Sequence, residues 1–133
     1  MIVTLVRSLE DRRTVDMHAR DRSERVKHCE THDDLCECAM NGVVRTIVAD
    51  LDAWPEGGTH EVARRLMNRT DPVALHAIHD LSPRAISELR LFARFDLDVR
   101  PAYRRYHALE DRLRDLTATG LRCATMAILR RLA

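Results

Sequence analysis

The chain has 133 residues, of which 45% are hydrophobic and 32% charged, with a formal net charge of +1 at pH 7. Those figures describe one soluble globular domain, too apolar for intrinsic disorder and long enough to bury a core without a metal or disulfide staple. So small a net charge excludes a global field for nucleic acid or acidic lipid. Lys27 is the only lysine, so chemistry that needs a lysine elsewhere is excluded as well.

The apolar start, Ile2 to Val6, reads as a first strand that Arg7 ends. It is too short for a membrane span or a signal segment, so a cytoplasmic protein without a membrane partner is expected. Ser8 stands three residues before Asp11, a capping-box-like start for a helix running to about Arg20, with Val15 and Ala19 on its apolar side. Glu24 to Cys29 reads as a short, polar strand suited to a sheet edge. Thr31 and Asp34 open a second helix with Leu35, Ala39 and Met40 as its apolar face, and Gly42 stands where a C-cap glycine belongs. Val43 to Asp52 is a nearly continuous apolar run that delivers Asp50 and Asp52 to its C-terminal end.

Trp54-Pro55-Glu56-Gly57-Gly58 breaks the chain, and the lone tryptophan is expected on an exposed loop, either as a partner contact or folded back over the pocket mouth. Thr59 is read as the cap of a helix bearing Val62, Ala63, Leu66 and Met67, and Val73 to Ile78 forms a fourth strand. Ser82-Pro83 begins a helix with Ile86, Leu89, Phe92 and Ala93 as its stripe. Leu97 to Pro101 is a fifth strand, Leu109, Leu113 and Leu116 mark a fifth helix, and Leu121, Ala124, Ile128, Leu129 and Leu132 mark a last one. Five β-α pairs with right-handed crossovers imply an α/β domain with a doubly wound parallel sheet over 1–118. The extra C-terminal helix over 119–133 is read as a linker or dimer element.

In such sheets ligands and chemistry collect at the C-terminal strand ends. The candidate switch-point pocket is therefore Ser8, Asp50, Asp52 and Arg100. The two acids have a plainer alternative, pairing with Arg7 or Arg100.

Ala49-Asp50-Leu51-Asp52-Ala53-Trp54-Pro55 through Gly58, Pro72 to Ala77, and Ala93 through Val99-Arg100-Pro101 resemble, in order and spacing, the receiver domain of bacterial response regulators. That resemblance implies a flavodoxin-like strand order, 2-1-3-4-5. Receivers hold Mg²⁺ with an acid pair after strand one, because a phosphoryl group arriving at a carboxylate needs its charge neutralised. Here Arg7 and Ser8 stand at those positions, Glu10 and Asp11 fall inside the first helix, and Pro55 fits the register of neither aspartate. Ala77 stands for the hydroxyl residue ending strand four, and Arg100 for the lysine ending strand five. The chain thus resembles a pseudo-receiver, similar to N-terminal domains joined to AraC-type helix-turn-helix modules.

The resemblance implies a non-enzymatic regulatory domain without cofactor or metal, working through a protein partner or a homodimer. DNA would be reached only through a module not present in these residues, since no turn and recognition helix follow Arg122, Arg130 and Arg131. The candidate interface lies around the fourth and fifth helices, at Arg90, Arg94, Arg104, Arg105, Glu110 and Asp111. The alternatives are a small α/β enzyme or ligand-binding domain using the crevice between strands one and three, or a phosphorylatable receiver with shifted acids.

His28, Cys29, His32, Cys36 and Cys38 fall within eleven residues, but their spacing fits no common zinc knuckle. His28 and Cys29 are expected on opposite faces of a strand, and Cys36 and Cys38 point about 200° apart on a helix. His76, His79 and Asp80 carry groups for acid-base work, yet no nucleophile elbow accompanies them. Gly57-Gly58 lacks the rest of a phosphate loop and reads as a turn.

Overall fold

The computed structural model describes residues 1–95, 97 and 99–103. In chain order the elements are β1 (Ile2–Leu5), α1 (Leu9–Asp21), β2 (Val26–His28), α2 (His32–Ala39), β3 (Thr46–Asp50), a single 3-10 turn (Leu51–Ala53), α3 (Gly58–Met67), β4 (Ala74–His79), α4 (Pro83–Phe92) and β5 (Val99–Tyr103). The strands form one five-stranded sheet in the expected order, β2-β1-β3-β4-β5, and every pairing is parallel. Among the described residues no helix is long and apolar enough to cross a membrane. The fifth helix, the last helix and the boundary at residue 118 lie outside the described residues.

Strand alternation divides the core into two layers. Val3, Leu5, Ile47, Ala49, Leu75 and Ala77 face α2, α3 and α4 and pack with Leu35, Val62, Leu66, Leu89 and Phe92. Ile2, Val6, Val48 and Ile78 face the other way, toward Val15 and Ala19 of α1. Residues i and i+2 of a strand share a face, so continuous apolar runs are what burial on both faces requires. β2 is a short edge strand, as its polarity suggests, and its burial is only partial.

Several local expectations are corrected. Gly42 is not the C-cap of α2: the helix ends at Met40, which is half exposed, and Gly42 does not adopt positive φ. Arg69, from the loop after α3, supplies the termination instead. Its side chain is 3% exposed, and its Nη1 donates to the carbonyls of Ala39 at 3.1 Å and Asn41 at 2.8 Å. Its Nη2 donates to Asp71 at 3.2 Å. A guanidinium on the last carbonyls of a helix satisfies orphan acceptors and opposes the negative end of the helix dipole. β4 runs to His79 and β5 to Tyr103, each further than the sequence pattern suggested. In the α4 stripe Leu89 and Phe92 are buried, whereas Ala93 is exposed and Ala85 and Glu88 take buried positions.

Arg69→Met is expected to lower unfolding stability by about 1–2 kcal/mol, since it removes three hydrogen bonds, of which the one to the Ala39 carbonyl is the least open to water. Urea denaturation followed by circular dichroism measures it; a loss under half of that would mean that solvent replaces the guanidinium.

Candidate functional site

A parallel sheet brings the starts of all its following helices to one rim, the C-terminal ends of the strands, and each start presents unpaired N–H groups. Ser8 caps α1, its Oγ accepting from the amides of Glu10 at 3.1 Å and Asp11 at 3.4 Å. Thr31 caps α2 through the Asp34 amide at 3.2 Å, and Ser82 caps α4 through the Ala85 amide at 3.2 Å. Thr59 does not cap α3. The helix begins at Gly58 after Gly57, whose φ of 75° is the left-handed region that glycine enters without strain.

Gly57 has no side chain to cap with, and the acceptor comes from another helix. Glu88 of α4, 2% exposed, accepts from the amide of Gly57 at 2.9 Å and from that of Thr59 at 3.0 Å, one on each carboxylate oxygen. A buried carboxylate is tolerated there because the helix N-terminus supplies two charge-assisted bonds and a positive dipole end.

Both predicted acids are consumed in the same kind of work. Asp50, the last residue of β3, is 2% exposed. One oxygen accepts from the Asp52 amide at 3.0 Å, capping the 3-10 turn, and the other lies 3.6 Å from Arg7 Nε. Asp52 turns toward the β4–α4 loop, where Oδ2 accepts from the Asp80 amide at 2.9 Å and Oδ1 from the Ser82 hydroxyl. Those bonds hold Leu81 between them at φ 58°, a left-handed conformation that costs a non-glycine residue roughly 1–2 kcal/mol.

Of the four pocket candidates, Asp50 and Asp52 are brought together through the Asp52 amide. Ser8 is engaged as a cap, and Asp52 is aimed at the β4–α4 loop. Arg100 does not end its strand: it is the second residue of β5, level with His76 and Val48, two residues short of the level of Asp50, Ile78 and Ala102. β4 likewise ends two residues beyond Ala77. Arg90 and Arg94 are exposed at the end of α4, whereas Arg104, Arg105, Glu110 and Asp111 lie outside the described residues.

These donors do not fit a magnesium cage. Mg²⁺ demands a near-octahedral oxygen shell, and here a guanidinium lies beside the buried carboxylate while Asp52 has both oxygens committed.

Trp54, expected on the surface, is fully buried. Its ring meets His32 edge-on, with centroids 4.7 Å apart and planes at 83°, and lies 6.4 Å from Phe92. Gly58 is the companion of that burial, for a Cβ there would fall 2.4 Å from Trp54 Nε1 and 2.9 Å from His32 Nε2. His32 Nε2 lies 3.1 Å from the Gly58 carbonyl and Nδ1 3.5 Å from Cys36 Sγ. A proton on Nε2 satisfies both, with the Cys36 thiol donating to Nδ1.

The His/Cys cluster is split by the sheet. His28 bonds Thr4 and Asp16 on the α1 face, while Cys29 and Cys36 sit in the opposite core layer. Among the described residues no group of three or more His, Cys, Asp or Glu is placed to hold a metal ion. His79 is fully buried, with Nδ1 accepting from the Leu81 amide at 3.3 Å, and His76 is 4% exposed.

Comparison with protein-family models, curated proteins and solved structures finds no match in any of the three. The geometry of the rim therefore carries the functional reading. Sequence reasoning missed Glu88, although a carboxylate in step with Ala85, Leu89 and Phe92 on one helical stripe is the signal that could have found it.

Glu88→Gln is expected to cost about 1.5–3 kcal/mol in unfolding free energy, and Glu88→Ala at least as much. Hydrogen exchange locates the effect: the first-turn amides of α3 lose protection before the rest, and uniform loss would refute the cap.

Burial, reinforced by the neighbouring Cys38 thiol, pushes Cys29 up from 9.0 to about 12. The folded state then keeps a proton that the unfolded chain releases, so stability falls as pH rises from 9 toward 12. Cys29→Ala should flatten that decline in urea midpoints; an equal slope in both proteins would contradict it.

Proposed function

We propose that this chain is a receiver-like regulatory domain that takes up no phosphoryl group and acts through protein association. The observation that carries the proposal is the pair between Arg7 and the buried Asp50. Phosphoryl transfer to an aspartate needs a carboxylate open to in-line approach and a divalent cation to neutralise the arriving charge. Asp50 has one oxygen in a turn and the other beside a guanidinium that takes the place of that cation. A domain whose rim acids have become caps keeps the scaffold and its surfaces, and surfaces are what a non-catalytic signalling domain uses.

Self-association through α4 is part of the proposal. Arg90 and Arg94 project from its C-terminal end and are exposed, which suits recognition of an acidic partner surface, a second copy included. The proposal extends to transcriptional regulation, with any DNA contact made by a separate module, because a net charge of +1 gives this domain little attraction for the phosphate backbone.

Two measurements on the full chain test this. Magnesium added to beryllofluoride should produce no magnesium-dependent change in the amide spectrum, and a saturable magnesium-dependent response abolished by Asp50→Asn would overturn the non-phosphorylated assignment. Light scattering should show a concentration-dependent dimer that Arg90→Glu with Arg94→Glu weakens about tenfold or more; a monomer at every concentration would refute self-association.

A further inference from the structure

A cleft of about 290 Å³ opens at the C-terminal ends of β1 and β2, beside the 3-10 turn. Leu5, Val6 and Cys29, nearly buried, contribute a small apolar patch to its lining, and Arg7, Arg12 and Glu30 contribute charge. His32 also lines it, but its two nitrogens face Gly58 and Cys36, so it contributes ring surface and not a donor.

Neither arginine is saturated by its contacts among the described residues. Arg7 is 61% exposed and its Nε lies 3.6 Å from Asp50, too long for a hydrogen bond. Arg12 places Nε 3.5 Å from the Val6 carbonyl and Nη1 3.4 Å from Glu30, both at the outer limit. A guanidinium carries five N–H donors in a planar fork that matches the edge of an oxyanion. Glu30 is 74% exposed, and so solvated an ion pair is weak and easily displaced.

We infer that this cleft binds a small phosphate monoester. The phosphate bridges Arg7 and Arg12, displacing Glu30, and the organic part rests on Leu5, Val6 and Cys29. Two guanidiniums on different elements, the turn after β1 and the first turn of α1, suit a dianion with three terminal oxygens, which matches two positive charges where a carboxylate matches one. The volume, about 290 Å³, lies just under the range for drug-sized ligands, about 300 Å³ upward, which suits a small ester and excludes a dinucleotide. The positive ends of α1 and α2 lie at the same rim and add to the field, but the site rests on the two side chains and the cavity. This goes beyond the proposed function, with which it shares Arg7: ligand binding holds whether or not the chain self-associates.

Nuclear magnetic resonance of the ¹⁵N-labelled full chain tests it, with inorganic phosphate and phenyl phosphate titrated against sodium chloride at equal ionic strength. Saturable shifts confined to the amides around Arg7, Arg12, Cys29 and Glu30 are expected, with phenyl phosphate tighter than inorganic phosphate. Arg12→Gln weakens binding about tenfold, whereas Glu30→Gln, by removing the competing carboxylate, tightens it about threefold. Shifts that spread over the whole surface and grow without saturation would overturn the site, as would unchanged affinity in both variants. Phenyl phosphate binding no better than inorganic phosphate would overturn the assignment of an organic ester. Glu30 is exposed and Arg12 makes only long contacts, so both variants keep the fold, which the same spectra report.

Discussion

The buried carboxylate of Glu88 on the first turn of α3 is the interaction on which the functional face depends. Parallel topology sends every helix start to the same rim, where each needs an acceptor for its first amides. Ser8, Thr31 and Ser82 meet that need from within their own segments. Gly57 cannot, and Gly58 must stay small for Trp54 to lie beneath it. An acceptor borrowed from α4 is the consequence, and it ties the β3–α3 connection to the helix that follows β4.

The same demand explains the acids at the end of β3. Asp50 serves the 3-10 turn and Asp52 serves the β4–α4 loop, so carboxylates that look like chemistry in a linear sequence act as connectors between loops. Arg7 completes the change by setting a cation beside Asp50. A rim built in this way holds its loops in one arrangement, Leu81 in a left-handed conformation among them, and leaves the β1–β2 side with its arginines comparatively open.

What could be read in the sequence was what is local. Three helix starts follow from a hydroxyl and the amides two or three residues onward, and the strands from apolar runs. The sheet order came from family resemblance joined to that alternation. The misses are contacts across the fold: Glu88 acts 29 and 31 residues away, and Arg69 caps a helix 28 to 30 residues before it. Pro101 looked like the end of β5, yet β5 is an edge strand in the described sheet and an edge accommodates proline. Trp54 was misplaced because Pro55 and the paired glycines suggest a solvent-facing loop; the largest apolar side chain in the chain folds inward instead.

That inward fold gives the molecule an internal fluorophore. Trp54 is the sole tryptophan, wedged between His32 at the start of α2 and Phe92 at the end of α4, against Gly58. Indole emission from this domain therefore originates at a single spot, the junction where three helices meet above the sheet. A rearrangement of the β3–α3 connection would register as a change in colour and intensity of that light, with no label attached and no second indole to dilute it.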